Sequence, residues 1–275
     1  MAPELAAALG RYLLTLADDE LVLGYRDSEW TAVAPMVEED VAFSSLAQDE
    51  IGHARLYYTL AGELLDADPD HLALLRPKDA YYHARLVERR ATPRYVESGE
   101  HLGGGDWALA VARRFLYDLF DDLRTESLLA STWAPLAGAT RKVRREETYH
   151  LRHGEAWWSA LARGQGEAPS RLAAALVAIW PDLLGLFEEA PGEEALVAAG
   201  LIGCRTSALR DPWLERVAAR CEPVGMPFAA RRGADGWQLL VEPALGGRQG
   251  RHGAGWDELY EDMTMVRRLE PEGVW

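Results

Sequence analysis

Four long stretches of the chain place apolar residues three and four positions apart, and in each the stripe is broken by an acid. Over residues 4–26 it reads Leu9, Leu13, Leu16, Glu20 and Leu23. Over 35–65 it reads Phe43, Leu46, Glu50, His53, Tyr57, Leu60 and Leu64. Over 106–132 it reads Val111, Phe115, Asp118, Asp122, Thr125 and Leu129, and over 135–164 Val143, Glu147, His150, Gly154, Trp157 and Leu161. This spacing predicts four amphipathic helices. A carboxylate on a buried stripe is costly unless something compensates its charge.

The punctuation sets the order of these helices. Asp27-Ser28-Glu29-Trp30 interrupts the first pattern, and Pro35 is placed to open the second. Residues 66–105 carry Pro69, Pro77, Pro93 and Gly103-Gly104-Gly105, which predicts a long crossover with a short helix near 79–90. Helix, helix, long connection, helix, helix is the layout of an all-α, ferritin-like four-helix bundle with one long crossover, spanning residues 1–165. Residues 166–275 are expected to form additional C-terminal helices and irregular chain on the same domain. The helices are 169–189, interrupted at Pro181, then 211–221 and 256–269. Between the last two, 222–255 is rich in Gly, Pro and Arg and reads as a long loop or wrap, usually a sign of function or of burial against a partner.

Two of the interrupted stripes hold the same device. Glu50 and His53, like Glu147 and His150, stand three apart and so share a helix face. The offsets repeat: Glu20 to Glu50 is 30 residues and Asp118 to Glu147 is 29, so the halves superimpose at 97 or 98. Internal duplication explains this better than chance pairs. Four carboxylates and two imidazoles suit iron or manganese. Glu20, Glu50, His53, Asp118, Glu147 and His150 are therefore the predicted ligands of up to two iron ions. Glu50 and Glu147 would bridge, and Glu20 and Asp118 would cap one ion each. Asp122, one turn beyond Asp118, is the rival for that position. An ion-free polar network is the alternative that the same residues allow. A two-iron centre could reduce O2, with electrons from outside, since no flavin, nicotinamide or iron–sulfur motif is present.

Composition narrows the rest. With 29 basic against 44 acidic residues the net charge is −15, which argues against nucleic-acid binding. Cys204 and Cys221 form no zinc or disulfide framework, as expected of a cytoplasmic protein. No signal peptide and no membrane span are expected. Trp157-Trp158 reads as core and interface, and Arg141-Lys142 with Arg144-Arg145 as a solvated helix face. His71, His83, His101 and His153 have no partners at ligand spacing.

The run from Leu16-Ala17-Asp18-Asp19 to Glu29-Trp30, then Asp49-Glu50-Ile51-Gly52-His53-Ala54-Arg55, then Tyr149-His150-Leu151-Arg152, resembles the phenylacetyl-CoA epoxidase family. The tail, Gly250-Arg251-His252 followed by a Met-bearing helix and Trp275, is similar to that of the family's C-type subunit. The resemblance implies a ferritin-like fold and a place in aerobic phenylacetate breakdown, within a multicomponent monooxygenase that epoxidises the ring of a CoA thioester. It implies three partners: a reductase, a small accessory subunit and a homologous catalytic subunit. Self-association is also expected. In that family the A-type subunit carries the di-iron catalyst and the C-type subunit is its structural partner, and some C-type sequences have lost ligands. All six ligand-type residues stand in this chain. Two expectations follow: an interaction subunit, or a di-iron oxygenase in its own right.

Overall fold

The computed structural model describes residues 1–95, 101–234, 236–271 and 273. The expectation resting on Trp275 falls outside these residues, as does the side chain of His101. The chain is mostly helical, with helices α1 (Pro3–Ser28), α2 (Val37–Leu65), α3 (Pro69–Leu74), α4 (Trp107–Leu128) and α5 (Ala134–Ala162). There follow α6 (Ala168–Gly185), α7 (Glu193–Ala198), α8 (Arg210–Cys221) and α9 (Trp256–Leu269). Two small antiparallel hairpins complete it, β1 (Pro93–Tyr95) with β2 (His101–Gly104) and β3 (Ala230–Gly233) with β4 (Gly236–Leu239). Among the described residues no helix is long and apolar enough to cross a membrane.

The four long helices lie where the stripes put them. α1 and α2 run antiparallel: Gly10 lies against Leu65, Tyr58 donates to Asp18, and Gly24 lies against Glu50. α4 and α5 do the same, with Phe115 against Gly154 and Arg144 against Asp122. Cross-contacts tie the hairpins, Asp27 to Arg113 and Arg114 between α1 and α4, and Asp49 to His150 between α2 and α5. Two glycines set how closely each pair approaches. A Cβ on Gly24 would sit 2.9 Å from Glu50 Cβ, and one on Gly154 would sit 3.0 Å from the Phe115 ring.

The crossover differs from expectation. No helix covers 79–90; instead α3 precedes it, followed by a 3-10 turn over Lys78–Ala80 and irregular chain. Pro69, read as a breaker, opens α3, because a proline at the first helical turn forfeits no hydrogen bond, and Asp68 caps it by accepting from His71 N–H. Pro181 also lies inside α6 without ending it. Its side chain is half-buried, and its own carbonyl accepts from Ala244 N–H at 2.8 Å.

Irregular chain needs other partners for its backbone, and two successive aspartates of α1 supply them. Asp18 accepts from Tyr82 N–H at 2.6 Å, from the Tyr58 hydroxyl and from Arg76. Asp19 accepts from Ala84 N–H and from Arg248, each at 2.8 Å. Arg248 belongs to the 222–255 segment, which is a β-hairpin followed by a strap that wraps over the crossover. Glycine is required where the strap meets it: a Cβ on Gly247 would sit 2.3 Å from His83 O. Farther along, α6 and α8 cover α4, with Trp213 buried and donating from Nε1 to Leu116 O at 2.9 Å. One hydrophobic cluster accordingly runs from Leu9 through to Met263.

His83, read as partnerless, is buried in this strap contact. It donates to Glu88 at 3.0 Å and stacks on His252 at 3.9 Å, while Gly253 N–H donates to the other Glu88 oxygen. Those partners stand five residues away in a turn and 169 away in the tail, where helical spacing rules do not reach. Burial raises the carboxyl pKa of Glu88, but His252, His83 and Gly253 N–H outweigh it and hold the value at about 2. A folded pKa below the unfolded one means stabilisation that is complete above about pH 4.5 and lost as pH falls toward 2. That contribution is on the order of 3 kcal/mol. Glu88→Gln should flatten the acid limb of the stability curve, followed by urea denaturation from pH 6 to pH 2.5. Parallel limbs in wild type and variant would sink the assignment.

Candidate metal centre

All six expected ligands point into the middle of the four-helix core, and none is more than 4 % exposed. Asp122, the rival position, instead faces the rim and pairs with Arg216 at 2.5 Å and Arg144 at 3.2 Å. Four of the six converge. Glu20, Glu50, His53 and Glu147 each bring a ligand atom within 4.8 Å of the others. His53 Nδ1 lies 3.4 Å from Glu147 Oε1, 3.7 Å from Glu50 Oε2 and 4.0 Å from Glu20 Oε2. Ligands about 2.1 Å from one ion stand roughly 3–3.4 Å apart, so the cluster is slightly expanded around a space of the right size. Glu20 Oε2, Glu50 Oε2 and His53 Nδ1 are all buried without a hydrogen-bond partner. Orphaned acceptors that converge in this way are what a bound cation satisfies. One divalent ion fits these four residues.

Asp118 and His150 have another occupant. The guanidinium of Arg114 bonds Glu50 Oε1, lies 2.7 Å from His150 Nδ1, and lies 2.9 Å from Asp118 Oδ1. It also donates to Asp27 at 3.0 Å. The same His150 Nδ1 lies 3.1 Å from Glu147 Oε1, and Nε2 faces Asp49; burial and Arg114 oppose charge on the ring, yet Glu147 and Glu50 raise its pKa to about 11. A second arginine of α4, Arg124, bonds Glu20 Oε1 at 2.7 Å and Asp19 at 2.8 Å, and also bonds Asp121. Glu20 and Glu50 thus each give one oxygen to an arginine and turn the other toward the cluster.

Two acids outside the predicted set orient the imidazoles. Glu146 Oε2 is 2.7 Å from His53 Nε2, and Asp49 Oδ2 is 3.2 Å from His150 Nε2. Each acid immediately precedes the Glu of one Glu-x-x-His and reaches across to the histidine of the other. A carboxylate on the far ring nitrogen fixes which nitrogen faces inward and raises its basicity, as around bound metal ions. The signal was available in the sequence as the repeated acid-Glu-x-x-His, Asp49-Glu50 and Glu146-Glu147. The arginines left no such trace, because only their partners on other helices distinguish them from surface residues.

The electrostatics of the ion-free cluster follow from burial and neighbours. Burial opposes charge on His53, yet Glu147 and Glu50 raise its pKa to about 10. Burial and Glu50 push Glu147 up, while His150 and His53 pull harder and bring it to about 2. Burial, then the Glu50 charge, holds Glu20 well above the carboxylate range; Glu50, against its own burial, is held well below it by Arg114 and its hydrogen bonds. Protons on Glu20 and His53 thus offset negative charge, and a metal ion would displace them.

His83, Glu88 and His252 form a second group with ligand atoms within 4.8 Å. Their stacked rings, 13° from parallel, run their in-plane lone pairs side by side rather than onto one point. They are a clasp for the strap. His153 likewise has a partner, Glu39 at 2.8 Å.

A family model described as phenylacetic acid catabolic protein matches residues 1–275. Among curated proteins, the chain is similar to the C subunit of 1,2-phenylacetyl-CoA epoxidase of Escherichia coli (strain K12). The two are 26 % identical over 268 residues, covering 97 % of this chain and 99 % of that protein.

Because Glu146 orients His53, Glu146→Gln is expected to lower divalent-ion affinity roughly 10- to 100-fold while the protein stays folded. Competition against a fluorescent chelator, with Mn(II) as the ion, measures this. Unchanged affinity would remove His53 from the ligand set.

Proposed function

The chain belongs to the phenylacetic acid catabolic protein family, and on that premise we propose that it is the C-type, non-catalytic subunit of a ring-epoxidising oxygenase acting on phenylacetyl-CoA. The observation that carries this reading is similarity to the C subunit of an epoxidase along almost the whole of both chains. The helical core, in this reading a ferritin-like bundle, is the scaffold against which a homologous catalytic subunit docks. A small accessory subunit and a reductase complete the complex, the reductase supplying electrons to the catalytic subunit.

Two features support a scaffold role. Arginines occupy the ligand shell, where a catalytic centre would need open positions for oxygen. The outer face of α2 also exposes Val37, Val41 and Ile51 in one stripe, with Tyr149 of α5 exposed beside the site's rim. Apolar groups aligned on a helix face suit a protein partner. A second reading, that the chain is itself a di-iron oxygenase, draws on the burial of all six ligand-type residues at mid-bundle.

Light scattering of the chain mixed with a catalytic homologue is expected to show a stable heteromer. Val41→Asp with Ile51→Asp should weaken it at least tenfold. In an assay with reductase and phenylacetyl-CoA, the chain alone should form no epoxide, and the catalytic subunit should need the chain for full rate. A chain that remains monomeric beside the homologue would defeat the proposal, and epoxide formed by the chain alone would establish the second reading.

A further inference from the structure

The geometry points to a centre that holds one divalent cation, with Arg114 as a fixed positive charge in the place a second ion would need. This deepens the non-catalytic reading and rests on it only for the chemistry of the ligand set, not for the partner.

A second ion would draw on Asp118, His150 and a shared oxygen of Glu50 or Glu147. Three of those groups already face Arg114: Glu50 Oε1, Asp118 Oδ1 at 2.9 Å and His150 Nδ1 at 2.7 Å. The imidazole nitrogen that would bind metal is the one that faces the guanidinium. A guanidinium does not lose its proton in a protein, so a cation brought to the same three groups meets a permanent like charge. Nor does Arg114 have an easy way out. It is buried, and its other end is tied to Asp27, which is itself bound to Arg113 at 2.5 Å. Withdrawing it would leave a buried guanidinium without partners, or Asp27, Glu50 and Asp118 undercompensated.

The other half of the centre is not filled in this way. Glu20 Oε2, Glu50 Oε2 and His53 Nδ1 are orphaned and converge with Glu147, whereas Asp118, whose oxygens also lack a hydrogen-bond partner, stands outside that cluster with Oδ1 ion-paired to Arg114 Nε. Arg124 holds only the outer oxygen of Glu20. Duplication makes the asymmetry visible: the position 98 residues before Arg114 is Leu16, an apolar core residue. One half of the repeat therefore kept an ion-sized opening, and the other carries its cation on a side chain. Carboxylates with one imidazole suit Mn(II) or Fe(II) for the ion that binds.

The test counts ions. The full chain is loaded anaerobically with Mn(II) or Fe(II), freed of excess by gel filtration, and analysed by elemental mass spectrometry. Electron paramagnetic resonance of the Mn(II) form separates an isolated ion from an exchange-coupled pair. One ion per chain with an isolated-ion spectrum, lost in Glu20→Gln and in His53→Ala, is the expected result. Arg114→Gln should raise the count toward two and introduce coupling. Two ions or a coupled spectrum in wild type would overturn the inference, as would no bound ion, or a folded Arg114→Gln protein that still binds one. If that variant fails to fold, the wild-type count and spectrum decide the matter alone. Failure to bind the catalytic homologue would count against the scaffold role without touching this result.

Discussion

Everything in this molecule depends on compensating charge inside a helical core. In the connected network around the centre, among the described residues, eight buried carboxylates, Asp18, Asp19, Glu20, Asp27, Glu50, Asp118, Asp121 and Glu147, meet five buried guanidiniums, those of Arg76, Arg113, Arg114, Arg124 and Arg248. Eight against five leaves three negative charges. Uncompensated buried charge costs several kcal/mol per group, so this core is stable only as a connected set. Burial holds Glu20 and Asp118 well above the carboxylate range, and His53 and His150 stand against the ionised Glu50 and Glu147. Protons can meet the shortfall, or a metal ion can.

The same requirement organises the chain outside the long helices. Asp18 and Asp19 lie on α1, but their partners are the crossover backbone, Arg76 and the distant Arg248. The strap therefore bears on the centre although it touches none of the clustered ligands. Arg248 and Arg124 share Asp19, and Arg124 in turn holds Glu20. A contact in the tail is in this way two residues from an oxygen that faces the cluster. Tail, crossover and centre are one electrostatic unit, which is why an extension with so little regular structure is nevertheless built into the core.

Much of this was legible from local pattern. Stripe period and the acids interrupting it located α1, α2, α4 and α5 and brought Glu20, Glu50, His53, Asp118, Glu147 and His150 to mid-bundle, because both signals lie within a few turns of helix. What escaped was non-local. Pro69 and Pro181 looked like breaks, yet one opens a helix and the other lies inside one. His83 depends on His252 across 169 residues. Arg114 looked like any surface cation on an amphipathic helix, and only Asp27, 87 residues away, and Glu50, 64 away, make it part of the centre.

The duplicated halves also show how such a centre can diverge without losing its frame. The reciprocal clamps survive in both: Glu146 orients His53 and Asp49 orients His150, at the same offset of 97 as the ligands. What sets the Asp118–His150 half apart is Arg114, which faces both residues. With Arg114 in place, Asp118 and His150 face a permanent cation whether or not metal is present, so the helical core carries part of its charge compensation independently of ion supply. A catalytic di-metal centre needs the opposite property, open positions whose charge is left for ions and substrate to balance. Exchanging a labile cation for a covalently attached one trades reactivity for a permanently compensated core. That trade suits the scaffold role proposed for this chain.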